Sequence, residues 1–232
     1  YGARQNTPIY IRGIGSKTNA PSVGLYVDGM PYFERSVVDM DIAGISGIEV
    51  LRGPQGTLYG RNSTGGLINL YTYSPLDYQN TMAKISYGSR NDLRLGVNHY
   101  QKISSCLGIN VAANYHHNDG FFRNLYTGEK ADNLQSANAK VGLAWQATPL
   151  WTMRLNALFD HSTQGGYPYG HYHAADNTVD AVNYNRPGYY RRNLFTAGMN
   201  WLYKGNAVHF NSQTSVQLSK DKQQIDQDLI PR

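Results

Sequence analysis

The sequence predicts a mainly β protein, with a small α+β globule at residues 1–75 and antiparallel strands of a transmembrane barrel at residues 76–232. Three observations predict this fold class. Five glycines fall within the fourteen positions from Gly53 to Gly66, where they bend the chain between two apolar strands. After Pro75, apolar and polar residues alternate with a period of two. The segments between the alternating strands become short and long in turn, which is typical of membrane barrels.

The first part is expected to consist of short strands joined by irregular loops. Its apolar runs are separated by Gly, Pro, Asn, Asp and Ser, which favour turns. One stretch, Ser36–Ile45, is expected to hold a short helix or turn. The runs expected to form strands are Ile9–Ile11, Val23–Val27, Ile48–Leu51 and Leu67–Tyr71.

The second part is expected to contain seven strands. The clearest runs from Leu107 to Tyr115, where every second residue is apolar and Asn110 and Asn114 lie between. Most of the strands reach the roughly nine to eleven residues that a tilted membrane strand requires. The predicted strands are 81–88, 93–101, 106–116, 137–147, 150–161, 193–203 and 206–219.

The connections between these strands favour a barrel over other β folds. The segments 117–136 and 162–192 are long, whereas the others are short. If the first strand rises from the periplasm, both long segments lie outside the cell and the later short turns lie in the periplasm. Aromatic residues near strand ends, such as Trp151 and Trp201, fit interfacial girdles. Alternation and loop lengths alone leave a soluble β-sandwich as the alternative.

The composition excludes several function classes. The net charge is +5, but only 16% of residues are charged and no basic stripe occurs, which argues against a nucleic-acid partner. The single cysteine, Cys106, excludes an internal disulfide. Glu49 and Asp28 are assigned structural roles, because no His or nucleophile recurs in frame with them. These patterns therefore point to no catalytic residues.

Two motifs precede the glycine-rich run at 48–70, namely Ile11-Arg12-Gly13 and Tyr26-Val27-Asp28-Gly29-Met30-Pro31. Together with the run, they resemble the plug domain of TonB-dependent outer-membrane receptors. The resemblance covers residues 1–75 and implies a 22-stranded barrel. It places the protein in the outer membrane of a Gram-negative bacterium. Residues 1–75 would be the C-terminal part of the plug and residues 76–232 the first seven or so barrel strands. The sequence begins in mid-motif and is expected to be a piece of something longer.

The resemblance implies active import of a scarce nutrient into the periplasm, energised by TonB. Since import makes and breaks no covalent bond, we expect no enzymatic activity and no cofactor. A ferric siderophore or another iron complex is the first expectation, followed by cobalamin and then an oligosaccharide. The implied partners are outer-membrane lipid, the small-molecule nutrient, and TonB through a segment absent from this chain. A non-transport adhesin barrel, a lipid-modifying outer-membrane enzyme and a soluble glycan-binding protein are the rival classes.

The resemblance also implies a role for two arginines. Arg12 and Arg52 each precede a glycine at a strand end, and the matching arginines of the family pair with glutamates on the inner barrel wall. Those glutamates are expected on strands beyond residue 232. The alternative is that both arginines make local turn contacts at the surface.

Candidate ligand contacts are expected in two regions. In the plug, the loops Ser16–Pro21 and Pro31–Val37 correspond to the ligand-facing apices of the family. In the barrel, the loop 162–192 combines Tyr and His, which suit ligand contact better than metal binding, since His171 and His173 are only two residues apart. Packing against the barrel wall is the alternative for the plug residues, and plain solvated loop chemistry for the loop. The candidates are Tyr32, Phe33, Glu34, Arg35, Tyr167, Tyr169, His171, Tyr172 and His173.

Overall fold

The structure is a computed structural model with two larger β-sheets and one small hairpin. No helix in the part that it describes is long and apolar enough to cross a membrane. It describes residues 9–15, 22–32, 44–54, 56, 59 and 63–226.

Four strands, β1 to β4, form the N-terminal sheet in the order β2-β1-β4-β3. The central strand β1 pairs in parallel with β4 and antiparallel with β2. All five residues of β1 are buried, which agrees with its uninterrupted apolar run. The bounds are Val23–Val27 for β1, Met30–Tyr32 for β2, Ile45–Arg52 for β3 and Gly66–Thr72 for β4.

The glycine-rich segment closes the β3–β4 connection, as the sequence predicts. Gly66 has a φ of 133°, which lies outside the range of ordinary L residues. A Cβ added at Gly66 would also collide with the carbonyl oxygen of Leu51 on β3. Gly66 therefore admits the close approach of β4 to β3 that another residue would prevent.

Two predictions for the first part of the chain are not confirmed: one is wrong, and the other falls mostly outside the described residues. The run Ile9–Ile11 is not a strand; Ile11 makes only an isolated bridge with Ile14, because the turn at Arg12 and Gly13, both at positive φ, reverses the chain there. The short helix or turn expected at Ser36–Ile45 falls largely on residues 36–43, outside the described residues, and Ile45 is the first residue of β3.

Seven strands form the wall sheet, an antiparallel meander in chain order that confirms the predicted strands. A two-stranded hairpin, β10 (Tyr172–His173) and β11 (Thr178–Val179), lies in the longest connection. The bounds are β5 Asn80–Gly88, β6 Asp92–Lys102, β7 Leu107–Asn118, β8 Leu134–Gln146, β9 Trp151–Gly165, β12 Tyr189–Lys204 and β13 His209–Gln224.

The last three wall strands extend beyond their predicted ends on the side of the long loops. Strand β9 ends at 165 where the alternation predicts 161, and β12 begins at 189 where it predicts 193. Antiparallel pairing continues there through polar residues such as Ser162 and Gln164. An apolar face is no longer needed once a strand leaves the hydrocarbon, so the periodic signal fades before the hydrogen bonding does.

The two faces of the wall sheet differ in polarity. On the outer face, Ile85 is 78% exposed, Val141 55% and Leu218 61%. On the inner face, Asn110, Asn138 and other polar side chains alternate with them and are buried. A sheet that is apolar outside and polar inside is the signature of a membrane barrel and the reverse of a soluble β-sandwich.

Aromatic residues collect at the end of the wall sheet that carries the short turns 103–106, 147–150 and 205–208, here called the short-turn end. Trp151 packs edge-on against Trp201 with ring centroids 6.2 Å apart, and against Tyr203 at 4.9 Å. Their position fits an interfacial girdle, as the sequence predicts. The opposite end, with the connections 89–91, 119–133 and 166–188, is called the long-loop end.

Candidate functional site

An apolar cluster seats the N-terminal sheet on the inner face of the wall sheet. Two wall residues, Leu158 on β9 and Leu194 on β12, interrupt the polar phase of their strands and point to the N-terminal sheet. Leu194 is completely buried. The buried members of the cluster are Leu25, Val27, Met30, Tyr32, Leu158 and Leu194.

Close approach at two wall positions depends on glycine. A Cβ on Gly198 of β12 would collide with the sulfur of Met30, which lies in the apolar cluster. A Cβ on Gly108 of β7 would lie 2.6 Å from the carbonyl group of Pro75, in the segment that links the two sheets. Larger residues at either position would push the first part of the chain away from the wall.

Tyrosines anchor the linking segment 73–79. The rings of Tyr73 and Tyr78 stack at 4.1 Å, and both meet the edge of Tyr100 on β6. Tyr100 is 1% exposed, and its hydroxyl donates to the carbonyl oxygen of Gly44 at 3.4 Å. These three of the 19 tyrosines therefore lie at the interface between the two sheets, where a ring needs both an apolar and a polar neighbour.

Charged groups also cross the interface. Lys140, in the middle of β8, brings its Nζ to 3.5 Å from Oδ2 of Asp28 in the β1–β2 turn. The Asp28 carboxylate accepts hydrogen bonds from the backbone N–H and the hydroxyl of Thr72, each at 2.7 Å. Lys140 also donates to the Thr72 hydroxyl at 3.4 Å. The contact joins a turn and a strand end of the N-terminal sheet to one wall residue.

A second buried ion pair lies within the inner face itself. Arg192 of β12 donates from Nη2 to Oδ1 of Asp160 on β9 at 2.7 Å, and from Nε to the same oxygen at 3.1 Å. Their side chains are 3% and 2% exposed. Burial of both charges requires this pairing, so the pair fixes the two strands at their long-loop half.

A cavity of about 580 Å³ separates the other face of the N-terminal sheet from the wall. The sheet contributes Tyr26, Asn69 and Tyr71, and the wall contributes Arg154 and Asn200 from the short-turn half of β9 and β12. The N-terminal sheet therefore contacts the wall through apolar side chains on one face, and on its other face a cavity lined by polar side chains lies between it and the wall.

Glu49 lies at the edge of this polar face. Its carboxylate accepts hydrogen bonds from the amide of Asn69 and the hydroxyl of Tyr71, each at 2.9 Å. The hydrogen bond from Asn69, and then that from Tyr71, lowers the pKa of Glu49. The structural role expected for Glu49 agrees with these cross-strand contacts between β3 and β4.

The two arginines expected to pair with the barrel wall remain a prediction. Arg12 lies in the turn that the Ile11–Ile14 bridge closes, and Arg52 is the last residue of β3. Both are exposed, and neither forms an ion pair with a described carboxylate. Their pairing with glutamates of the inner wall therefore stays a prediction.

Of the expected plug contacts, only Tyr32 is described. It is 5% exposed and belongs to the apolar cluster, so its ring packs on the wall. Burial, and to a lesser degree the charge of Asp28, raises the pKa of Tyr32. Phe33, Glu34 and Arg35 lie outside the described residues, as does the loop Ser16–Pro21.

The loop candidates divide into one buried and several exposed residues. Tyr167 is 4% exposed and stacks on Tyr169 at 5.5 Å; burial raises the pKa of Tyr167 to about 12. Tyr172 is 61% exposed and, with His173, forms β10. The ring of His173 contacts Asp180 at 2.9 Å, and His171 is also exposed. Tyr167 therefore supports the loop, whereas the other four present side chains to solvent.

Packing between the two long loops is a feature that the sequence does not reveal. Ala131 of the first loop is buried together with Val182 and Tyr184 of the second. The amide of Leu125 donates to Val182 O at 2.8 Å, and the Asn124 side chain donates to Tyr184 O at the same distance. The loops thus form one body that holds the hairpin and its exposed tyrosines.

Comparison with known proteins identifies the first part of the chain. Residues 1–67 match the family model of the TonB-dependent receptor plug domain. The pesticin receptors of Yersinia enterocolitica and Yersinia pestis are 42% identical over 69 residues. That stretch is 29% of this chain and only 10% of each receptor.

Solved structures resemble nearly the whole chain in fold. The ferric yersiniabactin uptake receptor FyuA from Yersinia pestis superposes with a TM-score of 0.79 at 24% identity, over 96% of this chain and 36% of that one. The ferric-catecholate import receptor Fiu from E. coli gives 0.70 at 20% identity, over 92% and 31%. The pyoverdine receptor FpvA from Pseudomonas aeruginosa gives 0.66 at 16% identity, over 93% and 32%.

Proposed function

This chain belongs to the TonB-dependent outer-membrane receptors, and from that premise we propose that it is part of a receptor that imports an iron–siderophore complex. The family lies in the outer membrane of Gram-negative bacteria, and so does this chain. Such a receptor carries its nutrient without making or breaking a covalent bond. The chain spans about a third of the length of the receptor structures that it resembles, so the transport activity proposed is that of the whole receptor.

One observation carries the proposal: a plug sheet packs on the polar inner face of a sheet whose outer face is apolar. A soluble binding protein would bury the apolar face, and an adhesin barrel would need no plug family sequence inside it. The apolar cluster around Leu194 and the glycines that admit the N-terminal sheet support a plug that fits closely in a barrel.

Iron complexes are favoured over the other nutrients by the kind of relatives found. The structural neighbours are receptors for ferric yersiniabactin, ferric catecholates and pyoverdine. The exposed Tyr169, His171, Tyr172 and His173 offer the aromatic and hydrogen-bonding surface that a polar organic chelate requires. We propose these four, together with Phe33, Glu34 and Arg35, as ligand contacts, and we propose a supporting role for the buried Tyr32 and Tyr167.

The rest of the architecture follows the family. We propose residues 1–75 as the C-terminal part of the plug and 76–232 as the first barrel strands, with outer-membrane lipid against the apolar face. Arg12 and Arg52 would pair with glutamates of the inner wall, since an arginine removed from water needs a carboxylate. TonB would pull on a segment that precedes the plug and so open the passage.

Growth on single iron sources tests the function. A strain lacking the receptor gene would be given one ferric siderophore at a time, with free iron chelated, and complemented with the wild-type gene. We expect at least one siderophore to support growth only in the complemented strain, and to lose that support when TonB is deleted. Equal growth of both strains on every iron chelate, with a difference on cobalamin or an oligosaccharide, would overturn the iron assignment.

A further inference from the structure

We propose that Asp28 and Lys140 form a latch that holds the plug closed against strand β8 of the barrel wall. The inference rests on the proposed function only in so far as the chain is part of a plugged receptor. It assigns two positioning residues to the closed state, distinct from Arg12 and Arg52.

The geometry sets this pair apart from the surface ion pairs. The side chains of Lys140 and Asp28 are 8% and 7% exposed, whereas those of His173 and Asp180 are 52% and 53% exposed. In the part of the chain that the structure describes, Asp28 is the only acidic side chain within ion-pair distance of Lys140.

The wall residues directly across from Lys140 carry no charge that could compensate its own. Its neighbours across the strands are Ala112 on β7 and Leu158 on β9. A buried cation is costly unless a carboxylate faces it. Docking of the plug turn buries both Lys140 and Asp28, and the closed state tolerates this because the two charges face each other; loss of either partner would leave the other buried and without a counter-charge in the docked state.

Asp28 is held ready for this contact by its own sheet. The residue lies at a φ of 51°, and Gly29 follows at 81°, which turns the β1–β2 connection toward the wall. The two hydrogen bonds from Thr72 fix the carboxylate and tie the turn to the end of β4. Asp28 also lines the 580 Å³ cavity, so a small displacement of the turn would bring the carboxylate into the polar gap.

Two substitutions separate the ion pair from the rest of the packing. Asp28→Asn keeps the size and the hydrogen bonds to Thr72, because its amide can accept from the backbone N–H and donate to the hydroxyl. It leaves Lys140 charged and unpaired. Lys140→Met removes the charge and keeps the stem, and it leaves Asp28 with both Thr72 contacts. The double variant replaces the pair with neutral groups, which is usually tolerated.

The test measures leakage through the complete receptor in an outer membrane. The readout is sensitivity to a hydrophilic antibiotic too large for the general porins, and the receptor level and the heat-dependent gel shift of its barrel are followed in parallel. We expect Asp28→Asn to lower the inhibitory concentration at least fourfold and Lys140→Met to lower it less. The double variant should return to within twofold of the wild type. Lys84→Met, which removes an exposed inner-face lysine on β5, should have no effect.

Leakage equal to the wild type in Asp28→Asn, or a double variant that leaks more than either single variant, would overturn the latch. If Asp28→Asn does not reach the membrane, Lys140→Gln and Lys140→Arg carry the test: the glutamine variant should leak and the arginine variant should not. Equal behaviour of those two would contradict the proposal. Because leakage needs no nutrient, this result is independent of the growth test of the proposed function.

Discussion

Replacing Leu194 with alanine tests how strongly the plug is bound to the wall. The side chain is completely buried between the two sheets. Truncation removes three buried carbon atoms, which is a loss of about 2.4 kcal/mol at about 0.8 kcal/mol each. The cavity left behind brings the total to about 2–5 kcal/mol for such sites. The opening equilibrium of the plug should therefore rise by roughly 30-fold or more.

Hydrogen exchange of the amides in β1, Val23–Val27, measures that equilibrium in the full receptor in detergent or bilayer. The control is Leu125→Ala, which truncates a leucine that is 62% exposed in the first long loop and should cost less than about 0.5 kcal/mol. If β1 exchanges equally fast in the Leu194 and Leu125 variants, the apolar cluster does not hold the plug and the reasoning fails.

Three further predictions follow from particular contacts. Gly198→Val should weaken plug docking by about 1–3 kcal/mol in the same exchange experiment, because the valine side chain would collide with Met30. Adding Met30→Ala should recover part of this loss. Strictly additive effects of the two substitutions would exclude the contact. The pKa of Glu49 is lowered, so the contribution of its carboxylate to plug stability is complete above its ordinary pKa and is lost as the pH falls through the lowered pKa. Glu49→Gln should therefore make the urea midpoint of the plug less dependent on pH below about 4.5. An unchanged pH dependence would contradict this. Tyr172→Ala should raise the siderophore concentration for half-maximal uptake about 5- to 30-fold with an unchanged receptor level, and an unaltered uptake curve would remove this residue from the site.

The wall strands could be predicted from the sequence because their outer face must be apolar. Apolar and polar residues alternate along a strand wherever one of its sides meets lipid and the other does not. The polar extension of β9 to Gly165 carries no such requirement, and its pairing with β12 becomes visible only in the structure. Local propensity is too weak to fix the ends of a strand where neither face has to be apolar.

The interface with the plug is predicted less completely. Leu158 and Leu194 give a usable signal, because they are apolar residues on the polar phase of their strands. The Asp28–Lys140 contact gives none, since the two residues are 112 positions apart and each has an ordinary local context. The packing of the two long loops is equally hidden, because a loop sequence does not reveal which other loop covers it.

A nitroxide scan along β8 determines which face of the wall sheet meets lipid and which meets the plug. Single cysteines would replace each residue from Ala137 to Leu143 in the full receptor with Cys106 changed to serine, and the labelled protein would be placed in lipid bilayers. Labels at Ala137, Ala139 and Val141 are expected to be relaxed by oxygen dissolved in the lipid, because these residues lie on the outer face. Labels at Asn138 and Lys140 should be shielded from the dissolved oxygen, because these residues lie on the inner face, where the plug covers them. Oxygen accessibility without this period of two, or relaxation of a label at Val141 by water-soluble agents, would show that the outer face of the wall sheet does not meet lipid.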